Sequence, residues 1–246
     1  MQIVVVAPPQ TEVEFRQKFI ADHEYLFVTD YNQIRNNLKE AQVVFDFFLA
    51  ENPDRLRLYH DRKGLIIFCN AVNIALAQLV QQAQMSLSCT LLGFNGWPTM
   101  LNRPYLEVTV LAEADKSVLA EVCRKLETEY LLLDDRVGMV TPRVLAMIIN
   151  EAFYTLQEKT ASAADIDRAM KLGTNYPDGP FGWAEKIGIK NIRLSRLKSL
   201  YKEKEDIDEE YKMSKIEMER KLRRELQTNM NMIEELKRLG EYKLLR

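Results

Sequence analysis

Short apolar runs alternate with helical stretches over the first 133 residues, and this alternation restricts the fold more than any other feature of the chain. Gln2–Ala7, Tyr25–Val28, Gln42–Leu49 (QVVFDFFL), Gly64–Cys69 (GLIIFC) and Thr90–Phe94 are rich in β-branched and aromatic residues, as strands are. Thr11–Ala21, Tyr31–Glu40 and Ile74–Gln82 lie between them and read as helices. Asp115–Leu126 is a further helix, and Tyr130–Leu133 a last short strand. Strands that are apolar almost without interruption leave no face for water. Separated by helices, they predict an α/β domain whose parallel sheet is covered on both sides.

A chain of 246 residues holds two modest domains, each with its own core. Its 34 Lys+Arg against 36 Asp+Glu give a net charge of -2, so no basic field calls for nucleic acid. The opening MQIVVVAPP has only a brief apolar run and no basic leader, and no later stretch is long enough to span a membrane. Cys69, Cys89 and Cys123 are widely spaced without a CxxC pair, which favours a reduced, cytoplasmic setting over disulfides or a zinc site. His23 and His60 sit in polar surroundings with no partner at ligand spacing, so both read as solvated surface residues and no metal is expected.

Asp135–Gly188 has a different texture. Leu145, Ile148, Ile149, Ala152, Phe153 and Leu156 recur at helical spacing and form one apolar face. Ser162 followed by Asp165 reads as the start of a second helix, and Gly173 as the left-handed residue at its end. The Pro177–Gly182 cluster reads as a turn. Gly138, Arg143, Asn150-Glu151-Ala152, Asp165-Ile166-Asp167, Leu172-Gly173 and Tyr176-Pro177-Asp178-Gly179-Pro180-Phe181 together resemble the C-terminal domain of the 3-hydroxyacyl-CoA dehydrogenases. The resemblance implies a shortened Rossmann-like domain over 1–133, an all-α C-terminal dimerisation domain over 134–205, and a charged tail over 206–246. It also implies a homodimer through the helices between Pro142 and Leu172, an acyl-CoA-like ligand and NAD as cofactor.

Set beside that family, the chemistry is depleted. The dinucleotide fingerprint needs glycines after the first strand, for the tight turn and for close approach to the pyrophosphate. Here the turn reads Ala7-Pro8-Pro9-Gln10-Thr11-Glu12, where prolines remove amide donors and Glu12 adds negative charge, so NAD is not expected to bind in the usual way. Asp30, after the second strand, falls where the ribose-binding acid belongs; an Asp there is also an ordinary turn residue. The resemblance puts Asn95 in the place of the acid/base histidine and Glu107, twelve residues on, in that of its orienting glutamate. The serine turn is replaced by Cys69-Asn70-Ala71-Val72-Asn73 and the family's asparagine by Pro142. Cys69 lacks a nearby histidine to activate it and reads as buried filler.

Beyond the family-like domain, Leu200-Tyr201-Lys202-Glu203 and Tyr211-Lys212-Met213-Ser214 echo its closing helices. From Asp208 to Leu239 a charged stretch carries Leu222, Leu226, Met230, Ile233 and Leu236 as a narrow apolar stripe ending at Gly240. Three functions follow as expectations. One is a family homologue, a pseudoenzyme, whose hydride transfer is lost or altered. Another is an oxidoreductase with non-standard cofactor contacts that uses Glu107 and water. The third is a non-catalytic dimeric interaction protein.

Overall fold

A computed structural model describes residues 1–32, 34–189, 191–192, 220, 223–224, 227–232 and 234. The chain divides into two compact units, Met1–Val140 and Thr141–Arg246. In the first unit the apolar runs become strands β1 (Gln2–Val6), β2 (Glu24–Val28), β3 (Val43–Asp46), β4 (Ile66–Asn70), β5 (Thr90–Phe94), β6 (Tyr105–Val110) and β7 (Glu129–Leu133). Helices α1 (Thr11–Lys18), α2 (Ile34–Asn37), α3 (Leu76–Ala83) and α4 (Asp115–Lys125) connect them. The strands form one sheet in the order β2-β1-β3-β4-β5-β6-β7.

All neighbours run parallel except β5 and β6, which pair antiparallel through Phe94 opposite Val108. The sequence pattern called for a parallel sheet and did not single out Tyr105–Val110 as a strand. The connection from β5 to β6 holds no helix, and without a crossover the chain can only return beside itself in the opposite sense. The elements are also shorter than their patterns. α1 stops at Lys18, and only Ile34–Asn37 of the stretch 31–40 is α-helical. β3 ends at Asp46 because 3-10 turns at Leu49–Glu51 and Pro53–Leu58 take over.

One face of the sheet buries an aromatic core. Phe45 stacks on Phe68 with ring centroids 4.5 Å apart and meets Phe15 of α1 edge-on at 5.0 Å. Ile3, Val5, Leu92, Val108 and Leu119 pack in the same cluster. Because strand side chains alternate, Asp46 points to the face opposite Phe45 and α1. Asp135 accepts from the amides of Leu76 (2.7 Å) and Ala77 (2.9 Å) and so caps the start of α3 from a loop 58 and 59 residues away in the chain.

The second unit contains α5 (Thr141–Gln157), α6 (Ala163–Thr174) and α7 (Pro180–Ile187). Leu145, Ile149, Ala152 and Phe153 of α5 are buried, and Phe153 meets Phe181 edge-on at 5.0 Å. Ser162 caps α6 by accepting from the Asp165 amide at 3.2 Å. Two sequence expectations need correction here. The left-handed residue after α6 is Asn175 (φ 55°), and Gly173 lies inside the helix; asparagine tolerates that conformation nearly as well as glycine. The Pro177–Gly182 cluster is only partly a turn, because Pro180 opens α7, where its missing amide hydrogen has no helical partner to lose. Asp167 of α6 accepts from the Phe181 (2.8 Å) and Gly182 (3.1 Å) amides, and a Cβ on Gly179 would collide with its side chain. Of the C-terminal stripe only Met230 is described. Leu222, Leu226, Ile233, Leu236 and Gly240, with the echoes at 200–203 and 211–214, lie outside the described residues.

Candidate functional site

The carboxyl ends of β1, β2, β4 and β5 carry most of the positions that the sequence singled out, with Glu107 inside β6 and Pro142 in α5. After β1 the chain turns on itself: the Ala7 amide donates to Val28 (3.1 Å), the Thr11 amide to Pro8 (3.0 Å) and the Glu12 amide to Pro9 (3.3 Å). Pro8 and Pro9 have no amide to offer a pyrophosphate, and the Thr11 and Glu12 amides at the start of the helix are therefore already bonded. Glu12 faces outward in an ion pair with Arg16 at 2.9 Å. Asp30 is exposed and accepts from the amide of Asn32 two residues on, a turn contact that starts the path into α2. The residues at this turn do not fit a bound dinucleotide.

Asn95 and Glu107 come together. Antiparallel pairing of β5 with β6 continues one residue past the strand, with the Asn95 amide donating to the Glu107 carbonyl at 3.1 Å. That register sets the two side chains side by side, and Asn95 Nδ2 donates to Glu107 Oε2 at 3.3 Å. Asn95 Oδ1 accepts from the Trp97 amide at 3.3 Å, so both ends of the side-chain amide are held by protein. Asn95 is 2% exposed and Glu107 8%. Asn70, at the end of β4, accepts from the Gly96 amide at 3.1 Å, and a Cβ on Gly96 would sit 2.9 Å from its Cγ. Neighbouring Cys69 is fully buried, and burial raises its thiol pKa well above the ordinary value. Pro142 is buried at the start of α5.

The loop after Asn95 is fastened to α1. The Glu14 carboxylate accepts from the amides of Thr99 (2.9 Å), Leu101 (2.9 Å) and Asn102 (3.2 Å), while Lys18 Nζ donates to the Arg103 (2.5 Å) and Pro104 (3.2 Å) carbonyls. Nothing in the sequence distinguished Glu14 from any solvated helical carboxylate, since its partners lie 85 to 88 residues away. Both histidines are partly exposed, and each has a backbone carbonyl beside its ring. His23 is half-buried, with Nε2 2.8 Å from the Lys125 carbonyl and Nδ1 3.4 Å from the N-terminal amine. His60 Nδ1 lies 3.1 Å from the Arg57 carbonyl.

Sequence reasoning missed Asp46 altogether. At the end of β3 it is 0% exposed and accepts from Tyr31 (2.7 and 2.8 Å), Tyr59 (2.9 Å) and the Phe48 amide (2.9 Å). Burial raises its pKa, and these hydrogen bonds oppose the rise. Burial beside Asp46 also pushes both phenols far above their usual range. Among the described residues no cluster of three or more His, Cys, Asp or Glu could hold a metal ion, and no helix is long and apolar enough to cross a membrane.

Comparison with known proteins gives this geometry its context. A model of the 3-hydroxyacyl-CoA dehydrogenase C-terminal domain matches residues 138–231. The 3-hydroxyadipyl-CoA dehydrogenase of Escherichia coli K12 is 50% identical over 62 residues, 25% of this chain and 13% of that protein. A probable 3-hydroxybutyryl-CoA dehydrogenase of Bacillus subtilis is 43% identical over 75 residues, 30% of this chain and 25% of that protein. The chain thus spans a quarter or less of these relatives' length. In fold it is similar to FadB2 of M. tuberculosis, with a TM-score of 0.61 at 17% identity over 82% of this chain and 87% of that one. Residues 138–231 thus belong with the 3-hydroxyacyl-CoA dehydrogenase C-terminal domain, and the fold of the chain is similar to that of FadB2.

Proposed function

We propose that this protein is a divergent 3-hydroxyacyl-CoA dehydrogenase homologue in which hydride transfer has been lost. The observation that carries the reading is the buried Asn95–Glu107 contact, at the twelve-residue spacing of the family's acid/base pair. An amide can hydrogen-bond a carbonyl but cannot take up or release a proton near neutral pH. Here it is also engaged at both ends, by Glu107 and by the Trp97 amide. The turn after β1 supports the same reading, because Pro8 and Pro9 carry no amide hydrogen and the Thr11 and Glu12 amides are bonded back to their carbonyls. NAD is then not held in the family's manner.

What remains is a dimeric, acyl-CoA-like binding protein. Val144 and Met147 of α5 are 54% and 52% exposed, an apolar row suited to a second copy of the C-terminal domain. The experiment is a thermal-shift panel of NADH, NADPH, acetoacetyl-CoA and free CoA, since a ligand that binds only the folded state raises the melting temperature once its concentration exceeds its dissociation constant. A shift with a CoA compound and none with either nucleotide is the expected outcome. A clear shift with NADH contradicts the reading.

A further inference from the structure

Ligands of open parallel sheets enter outside the carboxyl ends of the strands, where successive connections diverge to opposite sides. The order β2-β1-β3 puts that point at β1, whose carboxyl end lies between those of β2 and β3. β2 and β3 are two strand spacings apart, roughly 9–10 Å. A ligand that lies across the strand ends from β1 to the acid after β2 occupies this gap.

Tyr31 already spans it. It lies three residues past the end of β2, and its hydroxyl shares one proton between the two oxygens of Asp46, the last residue of β3, at 2.7 and 2.8 Å. The bridge is held at both ends. Tyr59 donates to Asp46 Oδ2 and the Phe48 amide to Oδ1, each at 2.9 Å. The Arg55 guanidinium covers the Tyr31 ring 3.9 Å from its centroid. Asp46 is wholly buried and cannot exchange these donors for water.

We propose that Tyr31 is a fixed strap across the crevice, excluding the adenosine half of a dinucleotide whatever the phosphate turn offers. The adenosine half is the one concerned, because the residue after the second strand is where a ribose is recognised. This rests on the reading that the cofactor is not bound, and gives it a second, independent cause. Restoring glycines at Ala7, Pro9 and Glu12 then leaves NADH binding absent as long as Tyr31 is in place.

The test uses adenosine, which carries no phosphate and makes no demand on the turn. Wild-type protein, Tyr31→Ala and Tyr31→Ser are titrated as full chains by equilibrium dialysis, with thermal unfolding as the check on folding. Wild type should show no binding up to about 1 mM, and the opened variants should bind at least about tenfold tighter than that limit. A folded variant that gains nothing overturns the strap. So does wild-type protein whose amide resonances at 30–32 and 46–48 shift on adding adenosine, a measurement that needs no variant. Neither result bears on hydride transfer, which is tested separately by NADH oxidation in wild-type protein.

Discussion

Asn95 and Glu107 hold one another by a hydrogen bond in which the amide has no proton to trade near neutral pH. Asn95→His puts a titratable ring against Glu107 but should give no reduction of acetoacetyl-CoA. The turn after β1, the position of Pro142 and the serine-free stretch at 69–73 are unchanged; steady-state assays of NADH oxidation check this. The cysteines make a separate prediction. Burial raises the thiol pKa of Cys89 to about 11 and of Cys123 to about 12, with Cys69 also well above the ordinary value. A raised folded-state pKa means that the neutral thiol is favoured by folding. The associated stability is therefore complete below the unfolded thiol pKa, near 8.5, and is lost as pH rises toward the folded values. Native protein should leave all three thiols unreactive toward an aromatic disulfide reagent at pH 8, and stability should decline above about pH 9. Rapid native labelling would contradict it. The pairing of Asn95 with Glu107 did not come from a hairpin, since 105–110 was not read as a strand; it was legible through the family resemblance, whose twelve-residue spacing it keeps. Asp46 was not, because a lone carboxylate in QVVFDFFL gives no sign of tyrosines 15 and 13 residues to either side.

Among the elements, the close packing of β4, β5 and β6 hinges on Gly93. A Cβ there would come 2.8 Å from the Ala71 methyl and closer still to Thr109 Oγ1. Gly93→Ala should destabilise the first unit by about 1–3 kcal/mol, as overpacking in a filled core does, measured by denaturant unfolding. Asp167→Ala should cost a similar amount, about 1–3 kcal/mol, by leaving the Phe181 and Gly182 amides at the start of α7 without their acceptor. An unchanged unfolding midpoint in either variant would show that the contact is not needed. The strands were readable because continuous apolar runs have few other solutions. Element ends were less so. Leu49 and Phe47 continue the apolar pattern beyond Asp46 although the chain has already left the sheet. Likewise Pro180 looks like a helix breaker and is a helix start. β6 was not read as a strand although Leu106, Val108 and Val110 alternate with Glu107 and Thr109 as strand residues do; the alternation would have left Glu107 and Thr109 on a solvated face, and both are buried.

In the whole molecule an α/β unit in which Asn95 pairs with Glu107 precedes a helical unit like the 3-hydroxyacyl-CoA dehydrogenase C-terminal domain. Sedimentation at tens of micromolar, an order-of-magnitude choice for a dimer of moderate affinity, should show a homodimer. Val144→Glu with Met147→Glu should convert it to a monomer, since a pair of charges cannot be desolvated across such a face. A wild-type monomer at that concentration contradicts the dimer. The central claim, that hydride transfer is lost, is tested most directly by mixing wild-type protein with NADH and acetoacetyl-CoA and following absorbance. No turnover above the uncatalysed background is expected, because Asn95 cannot supply acid/base catalysis worth roughly 10²–10⁴-fold and Pro8 and Pro9 offer no amides to the cofactor's phosphates. Turnover at an ordinary enzymatic rate, about 1–10³ s⁻¹, would contradict it.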